Sequence, residues 1–267
     1  MVEIIDRPVC GSDGGRFATP MDEEATILLK TIQAMLQTVG YTLVAEPDAS
    51  FIERFGVEGL WDELPFADAS QEVREAADHL RLWRRSVQER PEEVIDDLKT
   101  TWFRSLVGPA RPLAAPWESY YLDENNRLFT DSTREVRAAF RAHGLEFEKK
   151  NREPDDHIGL MLSFLAVLAG REAEAVAAGD DEETARSLQK DQADFIDNHV
   201  LTFVDEWAAA MAEKSDSDFY AGMALLACGL VKERRAQLEE KLSGSEDAGA
   251  TSGADGECCK EAVSCAC

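Results

Sequence analysis

The sequence is short of the features that would assign it quickly. Strand-like alternation is nearly absent, which excludes a sheet-based core. Lysine is scarce, 9 of the 28 Lys plus Arg residues, against 53 Asp plus Glu, giving a net charge of −25. Such a surface repels polyanions, so nucleic acid and anionic membranes are excluded as partners over most of it, while a basic peptide is attracted. The same excess of carboxylates fits a surface adapted to concentrated salt, so the charge alone does not set the function. Cysteine is also sparse: Cys10 and Cys228 stand alone, and Cys258, Cys259, Cys265 and Cys267 crowd into the last ten residues. That is no disulfide framework. Residues 1–16 hold no apolar core of signal-peptide length. The longest apolar run, residues 158–170, is too short to span a bilayer. A cytoplasmic protein without stable membrane insertion is expected.

Enzyme signatures are missing too. No phosphate-binding Gly-x-x-x-x-Gly-Lys loop, dinucleotide Gly-x-Gly-x-x-Gly, nucleophile elbow or His-Glu-x-x-His is present. Gly11-Ser12-Asp13-Gly14-Gly15 follows no strand and precedes no lysine.

What remains is helical periodicity. Hydrophobic residues make up 44% of the 267 residues, enough for a packed core. Thr19-Pro20 with Asp22 and Glu23 reads as a helix start, Ala25, Leu28, Ile32, Met35 and Val39 form its stripe, and Gly40 reads as its stop. Further helices start at Ser70, Pro91 and Asp131. Pro154 opens a segment apolar on nearly all sides, hence a central buried helix. A long helix over about 183–212 and a last one over about 217–242 complete the series. Tyr120-Tyr121-Leu122 is the only β-like fragment. The fold class is all-α, one globular bundle of roughly eight to ten helices. The expected organisation is an N-terminal extension at 1–18, a helical domain at 19–242, and a flexible Gly/Ser/Asp linker with a Cys-rich disordered tail at 243–267.

Several residues carry candidate chemistry. Residues 107–127 read as a long internal loop bearing Trp117, Tyr120 and Tyr121, and such loops are usually functional. Glu153-Pro154-Asp155-Asp156-His157 precedes the most apolar helix. The acids suit helix capping; the alternative is that Asp156 and His157 face a groove and bind a guanidinium or a backbone donor. A metal or acid–base role for Asp155, Asp156 and His157, as in a metal-dependent hydrolase, stays open beside these. His199, Phe203 and Trp207, at i, i+4 and i+8, share a helix face as a core stripe or a binding face. The four tail thiols could hold a metal or remain an exposed thiol tail.

Residues 102–165 resemble the TorD/DmsD family of redox-enzyme maturation chaperones. The resemblance rests on Trp102-Phe-Arg-Ser-Leu-Val-Gly-Pro109, on Pro116-Trp117-Glu-Ser119-Tyr-Tyr121-Leu-Asp123 followed by Leu128-Phe129-Thr-Asp-Ser-Thr133, and on Glu153-Pro154-Asp-Asp-His157. His199, Phe203, Trp207 and Phe219-Tyr220-Ala-Gly form a looser fourth match. The second block points to the DmsD branch rather than the nitrate-reductase branch, which remains the alternative client type. The resemblance implies an all-helical fold and a non-enzymatic chaperone without a cofactor. It implies binding of the twin-arginine signal peptide and apo form of a molybdoenzyme catalytic-subunit precursor, of the dimethyl sulfoxide or trimethylamine N-oxide reductase type. It further implies a monomer or a domain-swapped dimer. Carried onto this chain, the peptide-binding positions are Trp102, Leu106, Trp117, Tyr121, Asp156 and His157, with Asp156 meeting an arginine. Ser105 and Ala110 stand where the family has larger apolar residues, implying a shallower pocket, and the cysteine tail has no counterpart.

Overall fold

The computed structural model describes residues 20–108, 112–147, 153–179 and 182–250. Among them the chain forms ten α-helices and no strand. They are α1 (Pro20–Val44), α2 (Ala49–Phe55), α3 (Gln71–Glu89), α4 (Pro91–Trp102), α5 (Glu118–Leu122), α6 (Asp131–Ala142), α7 (Ile158–Ala178), α8 (Glu182–Asn198), α9 (Val204–Lys214) and α10 (Asp218–Ala250). A π-helical turn, Phe103–Val107, extends α4, and a 3₁₀ turn, Val200–Thr202, joins α8 to α9. The expected all-α class is the one found.

The centre is α7. Its residues are apolar nearly all round, and Ile158, Met161, Leu162, Leu165 and Leu168 are almost wholly inaccessible. Such a helix must be covered on every side. Helix α1 covers one side with Leu29, Ile32, Leu36, Val39 and Leu43, a seam spaced alternately by three and four residues. Gly40 lies against Gly159 and Ser163, and Gln33 against Gly170, so the two helices run antiparallel. Helix α8 packs on another side of α7, and α3 packs along α10. Phe51, Trp83 and Phe219 interlock α2, α3 and α10, with ring centroids 5.2 Å apart for Phe51–Phe219 and 4.6 Å for Trp83–Phe219.

Four sequence expectations need correction. Gly40 does not stop α1, which continues to Val44. The residue is glycine because α7 approaches closely: a Cβ there would sit 2.7 Å from the Gly159 carbonyl oxygen. Tyr120-Tyr121-Leu122 is helical, inside α5, because Asp156 caps that short helix. The long helix over 183–212 is broken at His199–Phe203. The break turns His199 and Thr202 toward the buried carboxylate of Glu118, at 3.2 and 3.3 Å. The last helix runs past 242 to Ala250, eased by the Ser243 hydroxyl donating to the Glu239 carbonyl one turn back. The N-terminal extension at 1–18 and the tail cysteines lie outside the described residues.

One further property of α1 was not read from the sequence. Met21–Val44 is long and apolar enough, by length and composition alone, to cross a membrane. Here its seam residues are packed against the core.

The α1–α7 contact yields a prediction with an informative sign. Intrinsic propensity alone favours Ala over Gly in a helix by about 1 kcal/mol. Gly40→Ala nonetheless destabilises, by about 1–3 kcal/mol, because its methyl overpacks against rigid backbone. Urea unfolding of wild type and variant reads the difference, and a stabilised variant contradicts the close contact.

Candidate functional site

The site is assembled where the loop before α5 meets the start of α7. The Ile158 N–H donates to the Pro116 carbonyl at 2.7 Å, and the Glu118 N–H donates to the Asp156 carbonyl at 3.1 Å. These two bonds flank Trp117 and His157, which form an isolated antiparallel bridge. Residues opposite each other in a non-hydrogen-bonded pair of this kind bring their side chains together on one face. The Trp117 and His157 rings accordingly meet edge to face, with centroids 6.0 Å apart.

The acids beside them hold this arrangement. Asp156 is fully buried. Its Oδ2 accepts the Ser119 N–H at 2.7 Å, at the first turn of α5. Its Oδ1 accepts the Thr133 hydroxyl at 2.9 Å, at the first turn of α6. Asp155, equally buried, accepts from Arg137 of α6 through Nε at 2.7 Å and through Nη2. Thus one carboxylate ties α5 and α6 to the head of α7, and its neighbour clamps α6 again.

His157 caps α7: its Nδ1 accepts the Gly159 N–H at 3.0 Å. Burial lowers its pKa to about 4, since a charged ring there loses hydration. At neutral pH the ring is therefore neutral. With Nδ1 accepting, its proton sits on Nε2.

Trp102, Leu106, Trp117 and His157 line one cavity of about 200 Å³, with Leu43 and Val44 of α1, Leu160 of α7, and Glu153. The π-helical turn delivers Leu106 and Val107 to its wall. Trp102 donates from Nε1 to the Leu43 carbonyl at 3.4 Å, a long bond. The Trp117 Nε1–H has no partner. The cavity therefore has a largely apolar wall, with the Trp117 Nε1–H buried and without a partner. It suits an apolar group.

Tyr121 and Asp156 do not line this cavity. Tyr121 packs on Phe203, with centroids 5.4 Å apart, and burial raises its phenol pKa. The expectation that Asp156 meets an arginine is corrected, because both of its oxygens are already engaged inside the protein. The hydrolase alternative fares no better: Asp155, Asp156 and His157 are each directed to different partners and do not converge. The shared stripe of His199, Phe203 and Trp207 is lost with the helix break. His199 pairs with Glu118, while Phe203 and Trp207 are core. Ser105 is fully buried with its hydroxyl unpartnered, and Ala110 lies outside the described residues.

Sequence reasoning missed three supporting residues. Glu118 is fully buried, and desolvation raises its pKa despite the His199 and Thr202 contacts. Its position within the Pro116–Asp123 block was the available signal. Thr133 and Arg137 are one helical turn apart on α6, facing the two aspartates. Nothing in the spacing of the sequence joined them to residues some twenty positions away.

Residues 66–209 match the family described as nitrate reductase delta subunit. Curated relatives include the probable Tat proofreading chaperone DmsD of Haemophilus influenzae, 30% identical over 133 residues, covering 50% of this chain and 58% of the relative. The Tat proofreading chaperone DmsD of Salmonella typhi is 40% identical over 74 residues, covering 28% and 36%. The chaperone protein TorD of Vibrio cholerae is 30% identical over 135 residues, covering 49% and 58%. Each match spans less than two thirds of the relative's own length.

Two predictions follow from the geometry. Asp156→Ala strands the Ser119 N–H and the Thr133 hydroxyl in the interior, at about 1–3 kcal/mol for each unsatisfied group. Asp156→Asn keeps one acceptor and loses less, and denaturant midpoints rank the two variants. For His157, the folded pKa lies below the ordinary value near 6.5. The unfolded chain therefore takes up the proton first, and the stability this residue contributes is lost as pH falls from about 6.5 toward 4. An NMR titration of the ring with a midpoint at 6.5 would contradict its burial.

Proposed function

The chain belongs to the nitrate reductase delta subunit family, and from that premise we propose a cytoplasmic chaperone that matures a redox enzyme. Its client is the precursor of a molybdopterin oxidoreductase, of the dimethyl sulfoxide or trimethylamine N-oxide reductase type. It binds the twin-arginine leader and the apo form until the cofactor is in place. The observation that carries this reading is the Trp117–His157 pair, aligned by backbone bonds at the wall of an aromatic cavity.

In this reading the cavity takes an apolar leader side chain between Trp102, Leu106 and Leu160. The Trp117 and His157 N–H groups donate to a leader carbonyl. The arginines are met at the exposed acidic surface, where Glu153 stands at the cavity, and not by Asp156. Exposed charge pairs contribute only about 0–1 kcal/mol each, so affinity comes chiefly from the buried aromatics. The net charge of −25 steers a cationic leader toward the protein. Naming of the family after nitrate reductase supports a second reading, a client of that type.

Titration of synthetic leader peptides into the folded chain tests the proposal. Trp117→Ala and His157→Ala each weaken binding, the tryptophan change by about 2 kcal/mol or more, roughly 30-fold. Binding by wild type is the same at pH 8 and pH 6, because His157 stays neutral across that span. Unchanged affinity in both folded variants removes the site. Recovery of a nitrate reductase subunit with the tagged chain selects the second reading.

A further inference from the structure

Helix α5 has five residues, too few to stand alone, because fixing the first helical turn costs more than its own bonds contribute. Its place is therefore set by what holds it. From the α7 side, the Asp156 carboxylate accepts the Ser119 N–H at 2.7 Å and the Asp156 carbonyl accepts the Glu118 N–H at 3.1 Å. From the α8–α9 side, His199 Nδ1 lies 3.2 and 3.3 Å from the two Glu118 carboxylate oxygens, and the Tyr121 ring packs on Phe203. Trp117 is the residue immediately before α5, and its side chain makes no capping bond to the helix. Beyond its bridge to His157, Trp117 is placed by the tethers on the residues that follow it.

The Glu118 carboxylate stays inside only because it is held there. It is fully buried, and burial raises its pKa; His199 opposes that effect, and the neighbouring Asp156 charge adds to it. Among the described residues its side-chain partners are His199 and Thr202, and the Thr202 hydroxyl also donates to the His199 carbonyl. A buried carboxylate without a partner is driven toward water. For Glu118 that movement unseats the start of α5, and Trp117 beside it.

A long helical segment is interrupted to supply the partner. Residues 198–204 contain neither proline nor glycine, the commonest local causes of a sharp break. Yet α8 ends at Asn198, and His199 and Phe203 leave helical geometry, with φ of −125° and −145°. The His199 ring is backed by Phe195, with centroids 5.1 Å apart, and Phe195 by Phe164 of α7 at 4.7 Å. An imidazole held in this way is a fixed point of attachment. One line of contacts thus runs from the aromatic core through His199 and Glu118 to Trp117, at the wall of the cavity.

We propose that Glu118 and His199 are positioning residues of the Trp117–His157 site: the break between α8 and α9 anchors the Glu118 carboxylate, and that anchor sets where the Trp117 ring stands against a bound peptide. This rests on the reading of that cavity as a leader site. Neither residue touches the peptide, and both act through Trp117.

The test joins an NMR spectrum to a titration. The full chain carries isotope-labelled tryptophan, and its five indole N–H signals are assigned by replacing each tryptophan in turn. A synthetic peptide with an Arg-Arg pair followed by a leucine-rich stretch is titrated calorimetrically into the same proteins. His199→Leu moves the Trp117 signal, leaves those of Trp61 and Trp83 in place, and weakens the peptide about tenfold, part of the roughly 30-fold carried by Trp117 itself. His199→Asn, which keeps a donor near the Nδ1 position, restores both. Added to Trp117→Ala, His199→Leu weakens the peptide no further. Where the bare carboxylate unfolds His199→Leu, the double variant Glu118→Gln with His199→Leu removes the buried charge and carries the same expectation. An unmoved Trp117 signal in a folded variant overturns the positioning role and leaves the proposed function standing. Movement of the Trp61 and Trp83 signals along with that of Trp117 marks a general loosening and overturns it too. So does a further loss on top of Trp117→Ala, since His199 then acts by another route. A moved Trp117 signal with unchanged affinity upholds the positioning and removes Trp117 from the leader site. If wild type binds no peptide, the leader reading falls and the Trp117 signal alone decides the positioning.

Discussion

Two adjacent buried aspartates determine where everything else at the site can be. Asp156 receives the first turns of α5 and α6 on its two oxygens, and Asp155 receives the Arg137 guanidinium from α6. A buried carboxylate without such partners is costly, while one with charge-assisted or backbone donors is held firmly. The head of α7 is thereby joined to both neighbouring elements. The backbone bridge through Trp117 and His157 follows from that junction, since it occupies the residues immediately beside the aspartates. The apolar length of α7 fixes the other end of the chain of constraint: the helix cannot shift without exposing core.

The electrostatics divide into an outer and an inner regime. Outside, carboxylates outnumber bases and give the long-range attraction for cations, which salt weakens within a Debye length of about 10 Å at 0.1 M. Inside, the cavity wall is two indoles, an imidazole that is neutral at neutral pH and aliphatic side chains, with Glu153 the single acidic residue among them. On the proposed reading, affinity in concentrated salt comes from the inner regime, because apolar contacts are not screened. The outer charge then sets which ligands approach rather than how long they stay.

Much of the fold was legible in the sequence because helical periodicity is local. The stripe of α3, the capped start at Ser70 and the apolar run of α7 needed only residues within one helix. The errors arose where distant residues decide. Gly40 has the local signature of a terminator, and only the approach of Gly159 reveals a notch. His199 continues a helical pattern, and only the buried Glu118 explains the break. At the site, the positions Trp102, Leu106, Trp117 and His157 came from motif resemblance and fall around one cavity. Asp156 was misread because an acid beside a histidine looks the same in sequence whether its oxygens face a ligand or two helix starts.

This division of labour leaves most ionisable residues of the site engaged with the protein's own groups. Asp155, Asp156 and Glu118 are each buried against partners of the protein's own, and His157 spends one nitrogen on capping α7. None of these three carboxylates lines the cavity with the imidazole; Glu153 is the acid that does. What is left over is an unpartnered indole N–H on Trp117. On the proposed reading, a fixed aromatic wall holds an extended backbone without transforming it. On that reading the buried polar groups keep the binding surface rigid, and rigidity lowers the ordering cost of binding a flexible peptide.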